Sequence, residues 1–183
     1  MQRISVLLFL FVFSFATAMQ AQAPAPKPDP EMKKLTVLVG RWAIEGELKP
    51  GPLGPGGKVT GERNCQMILG GFFRECRSTV NAPGGEIRML EITGYDPVNK
   101  DFSSEAYQDN GTRYSGALTV AGNTWTFAGK LVTAGKQYQF RATLVFAPDL
   151  ASASYKTEVS VDGETWTPRG ESTWTKVPPA AKK

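Results

Sequence analysis

From Val59 onward, apolar and polar residues alternate through roughly nine short runs joined by Gly- and Asp-rich turns, and the apolar faces of successive hairpins agree. Strict alternation marks strands with one buried face, and many short strands at even spacing mark a barrel or sandwich. Upstream, Trp42, Ile44 and Leu48 alternate with Ala43, Glu45 and Glu47 and predict a first strand. Ahead of that strand, Asp29 is a good N-cap, Pro30 suits the first helical position and Glu31 favours the positive helix end. Met32, Leu35, Leu38 and Val39 share one helical face, and Gly40 can take the left-handed conformation that ends a helix. The pattern predicts a helix of about two to three turns that stops before Arg41-Trp42. The stretch 49–57, Lys-Pro-Gly-Pro-Leu-Gly-Pro-Gly-Gly, suits neither helix nor strand and reads as a long loop at one barrel mouth.

Leu69-Gly70-Gly71-Phe72 signals a tight hairpin, because Gly-Gly allows the positive φ angles of primed turns. If Leu69 faces Phe72, Met67 faces Arg74 and Cys65 faces Cys76, close enough for a disulfide. Two buried free thiols, produced by a longer turn that shifts the register, are the alternative. The same parity puts Arg63 and Arg74 on the inner face with Val59, Cys65, Met67, Leu69, Phe72 and Val80. Glu62, Asn64, Gln66, Glu75 and Arg77 occupy the solvent face. An inward guanidinium requires a carboxylate, a wet cavity or an anionic ligand. Pairing with Glu91 or Glu105, or a bulge that turns the arginines outward, stays open at this point.

The later hairpins thread in the same way. Gly122-Asn123 pairs Val120 with Trp125 and Leu118 with Phe127, while Gly135-Lys136 brings Phe140 opposite Leu131 and Phe146 opposite Trp125. Tyr155 then meets Leu144, Val159 meets Phe140, and the Asp162-Gly163 turn places Trp166 near Val159. Pro168 cannot donate to a ladder, so the last strand is bulged or lies at an edge or closure point.

Composition narrows the chemistry. There is no histidine, and only two cysteines, so His-based metal sites, paired CxxC sites and Ser-His-Asp or Cys-His catalysis are excluded. No phosphate-cradling glycine loop follows a strand. Arg3, the apolar run Val6–Phe15 and Ala16-Thr17-Ala18 read as a signal peptide over residues 1–18, with cleavage as late as 23. Residues 19–28 read as a flexible Pro/Ala linker, 29–177 as the barrel and 178–183 as a disordered tail. The apolar run is too short for a membrane span, which leaves no stable span after cleavage and predicts a periplasmic or extracellular protein. The formal charge of +4 falls to +3 when residues 1–18, with one Arg and no acid, are removed. Basic residues are scattered without an aromatic-interleaved stripe, which argues against nucleic-acid binding.

With these elements placed, Leu35-Thr36-Val37-Leu38-Val39-Gly40-Arg41-Trp42 resembles the helix and Gly-x-Trp that open lipocalin-like barrels. Together with Leu69-Gly70-Gly71-Phe72, Gly94-Tyr95-Asp96-Pro97 and Asp162-Gly163-Glu164-Thr165-Trp166, that opening is similar to a mostly bacterial family, domain of unknown function 1579, over about residues 31–176. The resemblance implies an all-β fold: a closed antiparallel up-and-down barrel of lipocalin (calycin-like) type, about ten strands, with a short N-terminal helix. It implies no activity and no catalytic residue. The nitrobindin-like haem barrels of the wider group use an axial histidine, which this chain lacks, so no cofactor is expected.

The expected function is an exported barrel that carries or scavenges a small apolar or amphiphilic molecule, with an acidic group near Arg63 and Arg74. Tyr95, Tyr107 and Tyr114 are the further polar candidates, and Trp125, Phe127 and Phe140 the apolar lining. A histidine- and metal-independent isomerase or cyclase, and a solid structural or interaction barrel, are the competing classes. The sequence leaves the oligomeric state open.

Overall fold

The computed structural model describes residues 25–179. The expected signal peptide, most of the linker and the end of the tail lie outside the described residues. The expected short helix is present over Pro30–Leu38 and is of the 3-10 type. The spacing of the apolar residues explains the type. Met32, Leu35 and Leu38 are three apart, so three residues per turn puts all of them on one buried face. Asp29 caps the start by accepting from the Glu31 amide at 2.9 Å, and Val39 leaves in an extended conformation.

Ten antiparallel strands follow: β1 Gly40–Leu48, β2 Gly57–Ile68, β3 Phe73–Ala82, β4 Gly85–Asp96, β5 Asp101–Gln108, β6 Arg113–Ala121, β7 Thr124–Thr133, β8 Lys136–Phe146, β9 Ser152–Ser160 and β10 Thr167–Val177. Each pairs with its sequence neighbours, and β10 pairs back onto β1 to close the barrel. Closure removes every sheet edge, and the period-2 alternation then delivers one residue in two to the interior. The sheet is squeezed where Gly116 on β6 faces Gly129 on β7: a Cβ at either would sit 2.3 or 2.1 Å from a carbonyl oxygen of the facing strand.

Most of the threaded registers are observed, including Val120↔Trp125, Leu144↔Tyr155 and Phe140↔Val159. Three details differ. The β2–β3 connection is a four-residue loop, Leu69–Phe72, with Leu69, Gly70 and Gly71 all at positive φ. Ile68↔Phe73 is the last pair, so the parity survives while Leu69 turns outward and stands 72% exposed. The β7–β8 turn is centred on Ala134-Gly135, one residue earlier than expected, which pairs Trp125 with Leu144 and Leu131 with Tyr138. The shift is two residues along the ladder and keeps every side chain on its face. Finally, β10 bulges between Pro168 and Gly170, and Thr167 rather than Trp166 faces Val159. Trp166 instead packs outside the ladder, with the Arg141 guanidinium 4.1 Å from its ring centroid.

Cys65 and Cys76 face each other across β2 and β3 and form a disulfide, with Cα atoms 4.1 Å apart. The two barrel ends are closed differently. At one, the 3-10 helix packs Met32, Leu35 and Leu38 against Trp42, whose indole donates to the Leu38 carbonyl at 2.9 Å. At the other, the strap between β1 and β2 folds over the opening. Its Leu53 packs with Tyr114, Phe127 and Tyr155 against a second core cluster of Leu131, Tyr138, Phe140, Ala142 and Val159.

Candidate functional site

The inner faces of β2, β3 and β4 converge on a buried ion triad. Inward parity supplies Arg63 from β2 and Arg74 from β3, and the Cys76↔Glu91 and Arg74↔Thr93 pairings bring up Glu91 and Thr93 from β4. One Glu91 oxygen, Oε1, accepts from Arg63 Nη2 at 2.7 Å and from Arg74 Nη2 at 2.7 Å. Arg74 Nη2 also donates to Thr93 Oγ1 at 3.0 Å, and Arg63 Nη1 donates to Ser78 Oγ at 3.2 Å. The Thr93 and Ser104 hydroxyls lie 3.0 Å apart and extend the polar run onto β5. Both guanidinium groups sit near aromatic rings, Arg63 5.2 Å from the Trp174 centroid and Arg74 5.5 Å from that of Trp125.

Two cations share one anion, so the triad carries one uncompensated positive charge inside the barrel. Arg63 is 3% and Arg74 2% exposed, and Nε of both and Nη1 of Arg74 are buried with no hydrogen-bond partner. Desolvation pushes the Glu91 carboxyl up, but the Arg63 and Arg74 charges outweigh it and hold the group at about 2. Arg74 is lowered, mainly by burial, with Arg63 beside it adding to the effect against the pull of Glu91. Tyr155 is pushed above its ordinary range by burial and by the nearby Glu91 carboxylate.

Above the triad, toward the strap, runs a cavity of about 380 Å³. The barrel is therefore hollow, and its volume lies within the range of small-molecule sites, about 300–1,000 Å³. The walls are mostly apolar, with Val59, Val80, Ile87, Leu131, Phe140 and Leu144 among them. Tyr114 and Tyr155 bring phenols to the same space, Tyr114 accepting a long 3.5 Å hydrogen bond from Gln108. Arg169 lines the strap end.

Of the residues singled out from the sequence, Arg63, Arg74, Tyr114, Trp125, Phe127 and Phe140 are brought together around this cavity. Tyr107 is not: it lies between inward Ala106 and Gln108, so alternation turns it outward, where it is 49% exposed. Tyr95 points inward but sits at the helix end, stacked edge-on to Phe102 at 5.2 Å and away from the cavity. Of the two carboxylates considered for internal pairing, Glu91 is the partner and Glu105 faces outward. Thr93, Ser78 and Arg169 join the site without having stood out in the sequence, and Tyr155, expected only opposite Leu144 on the apolar inner face, joins it as well. The alternation Met89-Glu91-Thr93 on β4 carries the signal for Thr93, whereas the bulge at Pro168–Gly170 hides the facing of Arg169.

A closed up-and-down β-barrel around a ligand-sized hollow, with one buried excess charge, defines the class of protein. The family profile described as "Protein of unknown function (DUF1579)" matches residues 27–175, and the chain belongs to that family. No curated protein matches it. Among solved structures, the chain is similar to that of Rv2717c from M. tuberculosis, at 14% identity and a TM-score of 0.61, over 83% of this chain and 100% of that one. A weaker likeness, at 12% identity and a TM-score of 0.41, links it to a de novo designed fluorescence-activating β-barrel over 78% of this chain and 95% of the design.

Proposed function

We propose that this protein is an exported barrel that carries or scavenges a small, largely apolar molecule with an acidic group. The observation that supports this reading is the pairing of an apolar cavity of about 380 Å³ with the buried Arg63–Arg74–Glu91 triad. Unpaired buried cationic donors are costly, and an anionic group near them would satisfy the orphaned N–H bonds and the charge together. Export is supported by the signal-like N-terminal sequence and the Cys65–Cys76 bridge, since disulfides persist in oxidising compartments.

Enzymatic use of the cavity fits the ionisations less well. General acid–base catalysis favours groups that titrate near the working pH. Glu91 is held at about 2 and Tyr155 is displaced upward, so both lie far from neutrality. Native mass spectrometry of protein purified from its own host is the direct test, with an adduct of one organic acid per chain expected. Protein that emerges unliganded, and shows no binding when titrated with long-chain alkanoates or alkanols, would overturn the reading.

A further inference from the structure

The strap over the strap-end mouth is built as a closure rather than as a passive connection. Three loop apolar side chains face water, with Leu69 72%, Val98 86% and Val161 73% exposed. Leu53, in the eight-residue strap 49–56 rich in proline and glycine, is instead half-buried, packs against the second core cluster and lines the cavity. The strap tip folds on itself through two backbone hydrogen bonds, Gly51 N to Gly54 O at 3.1 Å and Gly54 N to Gly51 O at 3.0 Å.

A single side chain ties the strap down. Arg169 donates from Nη1 to the Lys49 carbonyl at 2.7 Å and to the Pro55 carbonyl at 3.4 Å, spanning the strap near both of its ends. The Lys49 amide donates back to the Arg169 carbonyl at 2.7 Å. Arg169 is the residue that the β10 bulge leaves unpaired, between Pro168 and Gly170. Bulges re-aim a side chain, and this one turns the Arg169 guanidinium onto two strap carbonyls.

We propose that Leu53 is the roof residue that sets the length of ligand the cavity accepts, and that Arg169 is the latch that holds it shut. The length-setting half rests on the small-molecule reading above. The latch half stands on the strap alone. In a closed barrel, the space between the triad and Leu53 is fixed, so a chain anchored by its acidic end meets Leu53 when it outgrows the cavity. Exchange of a ligand long enough to reach Leu53 is then faster once Arg169 releases both carbonyls.

The test uses the whole mature protein and a series of alkanoates from octanoate to stearate. Leu53→Ala should move the affinity optimum to longer chains, with a gain of about fourfold for each further methylene buried. An unchanged optimum overturns the length-setting role. Arg169→Ala should raise association and dissociation rates together, by about tenfold or more, because a hydrogen bond from a charged group is worth at least that factor. Weaker affinity with an unchanged association rate would make Arg169 a ligand contact and overturn the latch. Hydrogen exchange without ligand tests the latch separately: the Lys49 amide, which bonds to the Arg169 carbonyl at the base of the strap, should lose protection by about tenfold or more in Arg169→Ala. Equal protection in both proteins overturns the latch. If no alkanoate binds the unaltered protein, the length-setting half fails with the small-molecule reading, and exchange still decides the latch.

Discussion

The helix end of the barrel is shut by three side chains repeating every third residue, and the strap end is covered in part by eight residues, of which Leu53 is half-buried against the interior. Met32, Leu35 and Leu38 fit into the main core, and Trp42 hydrogen-bonds to the helix carbonyl. The strap contributes Leu53 and depends on one arginine and backbone carbonyls for the rest. The apolar seal is stabilised by area, at roughly 25 cal/mol per Å², and opens only with much of the fold. The hydrogen-bonded seal opens locally at the cost of a few bonds. The same barrel thus has a permanent floor and a reversible roof, with the charged triad on the floor side.

Several substitutions would break or sharpen that contrast. The largest effect is expected at the floor-side triad, where Glu91→Gln strips two buried guanidinium groups of their anion. Urea unfolding should show a loss of about 3–5 kcal/mol, and a loss below about 1 kcal/mol would mean that the arginines are already compensated otherwise. Leu35→Ala, at a residue 0% exposed, should cost about 2–5 kcal/mol by transfer and cavity terms. A cost equal to that of Leu53→Ala would abolish the distinction between the ends.

Acid titration gives an effect of similar size. The folded Glu91 pKa of about 2 lies below its ordinary 4.5, so its stabilisation is complete above pH 4.5 and drains away as pH falls toward 2. That contribution is roughly 3 kcal/mol. The stability difference between the wild-type protein and Glu91→Gln should therefore narrow through this interval, and a constant difference would contradict the ion pairing. Replacing Cys65 and Cys76 together by alanine should cost about 2–3 kcal/mol under non-reducing conditions, the loop closed being short. The smallest effect belongs to the roof: Leu53→Ala should change unfolding stability by less than about 1 kcal/mol, because its side chain is only half buried.

The floor is more legible in the sequence than the roof. Alternation around Gly70-Gly71 is enough to turn Arg63 and Arg74 inward and to oppose the cysteines. The four-residue loop found in place of the tight turn keeps the same pairing sum. The turn at Ala134-Gly135 lies one residue from its expected place, yet a two-residue slip leaves faces unchanged, so the lining from Trp125 to Leu131 still follows from alternation. Tyr107 has the chemistry of a cavity residue but the wrong parity, beside inward Ala106. The roof offers no period at all. Leu53 stands alone among prolines and glycines, and Arg169 sits in a bulge where alternation fails, so only packing in three dimensions joins them.

The Cys65–Cys76 bridge imposes an order on assembly. Both sulfur-bearing residues face the interior and are 2% and 1% exposed, next to Arg63, Arg74 and Glu91. Thiol–disulfide exchange needs an attacking thiolate to reach the sulfur. Once β10 has docked on β1, no oxidant of protein size can make that approach. Oxidation of the β2–β3 hairpin must therefore come before the barrel closes, and a chain that closes while reduced has to reopen to acquire its bridge. In pulse-alkylation during refolding, the thiols should disappear before native tryptophan fluorescence is reached, and a native signal preceding their loss would reverse the order.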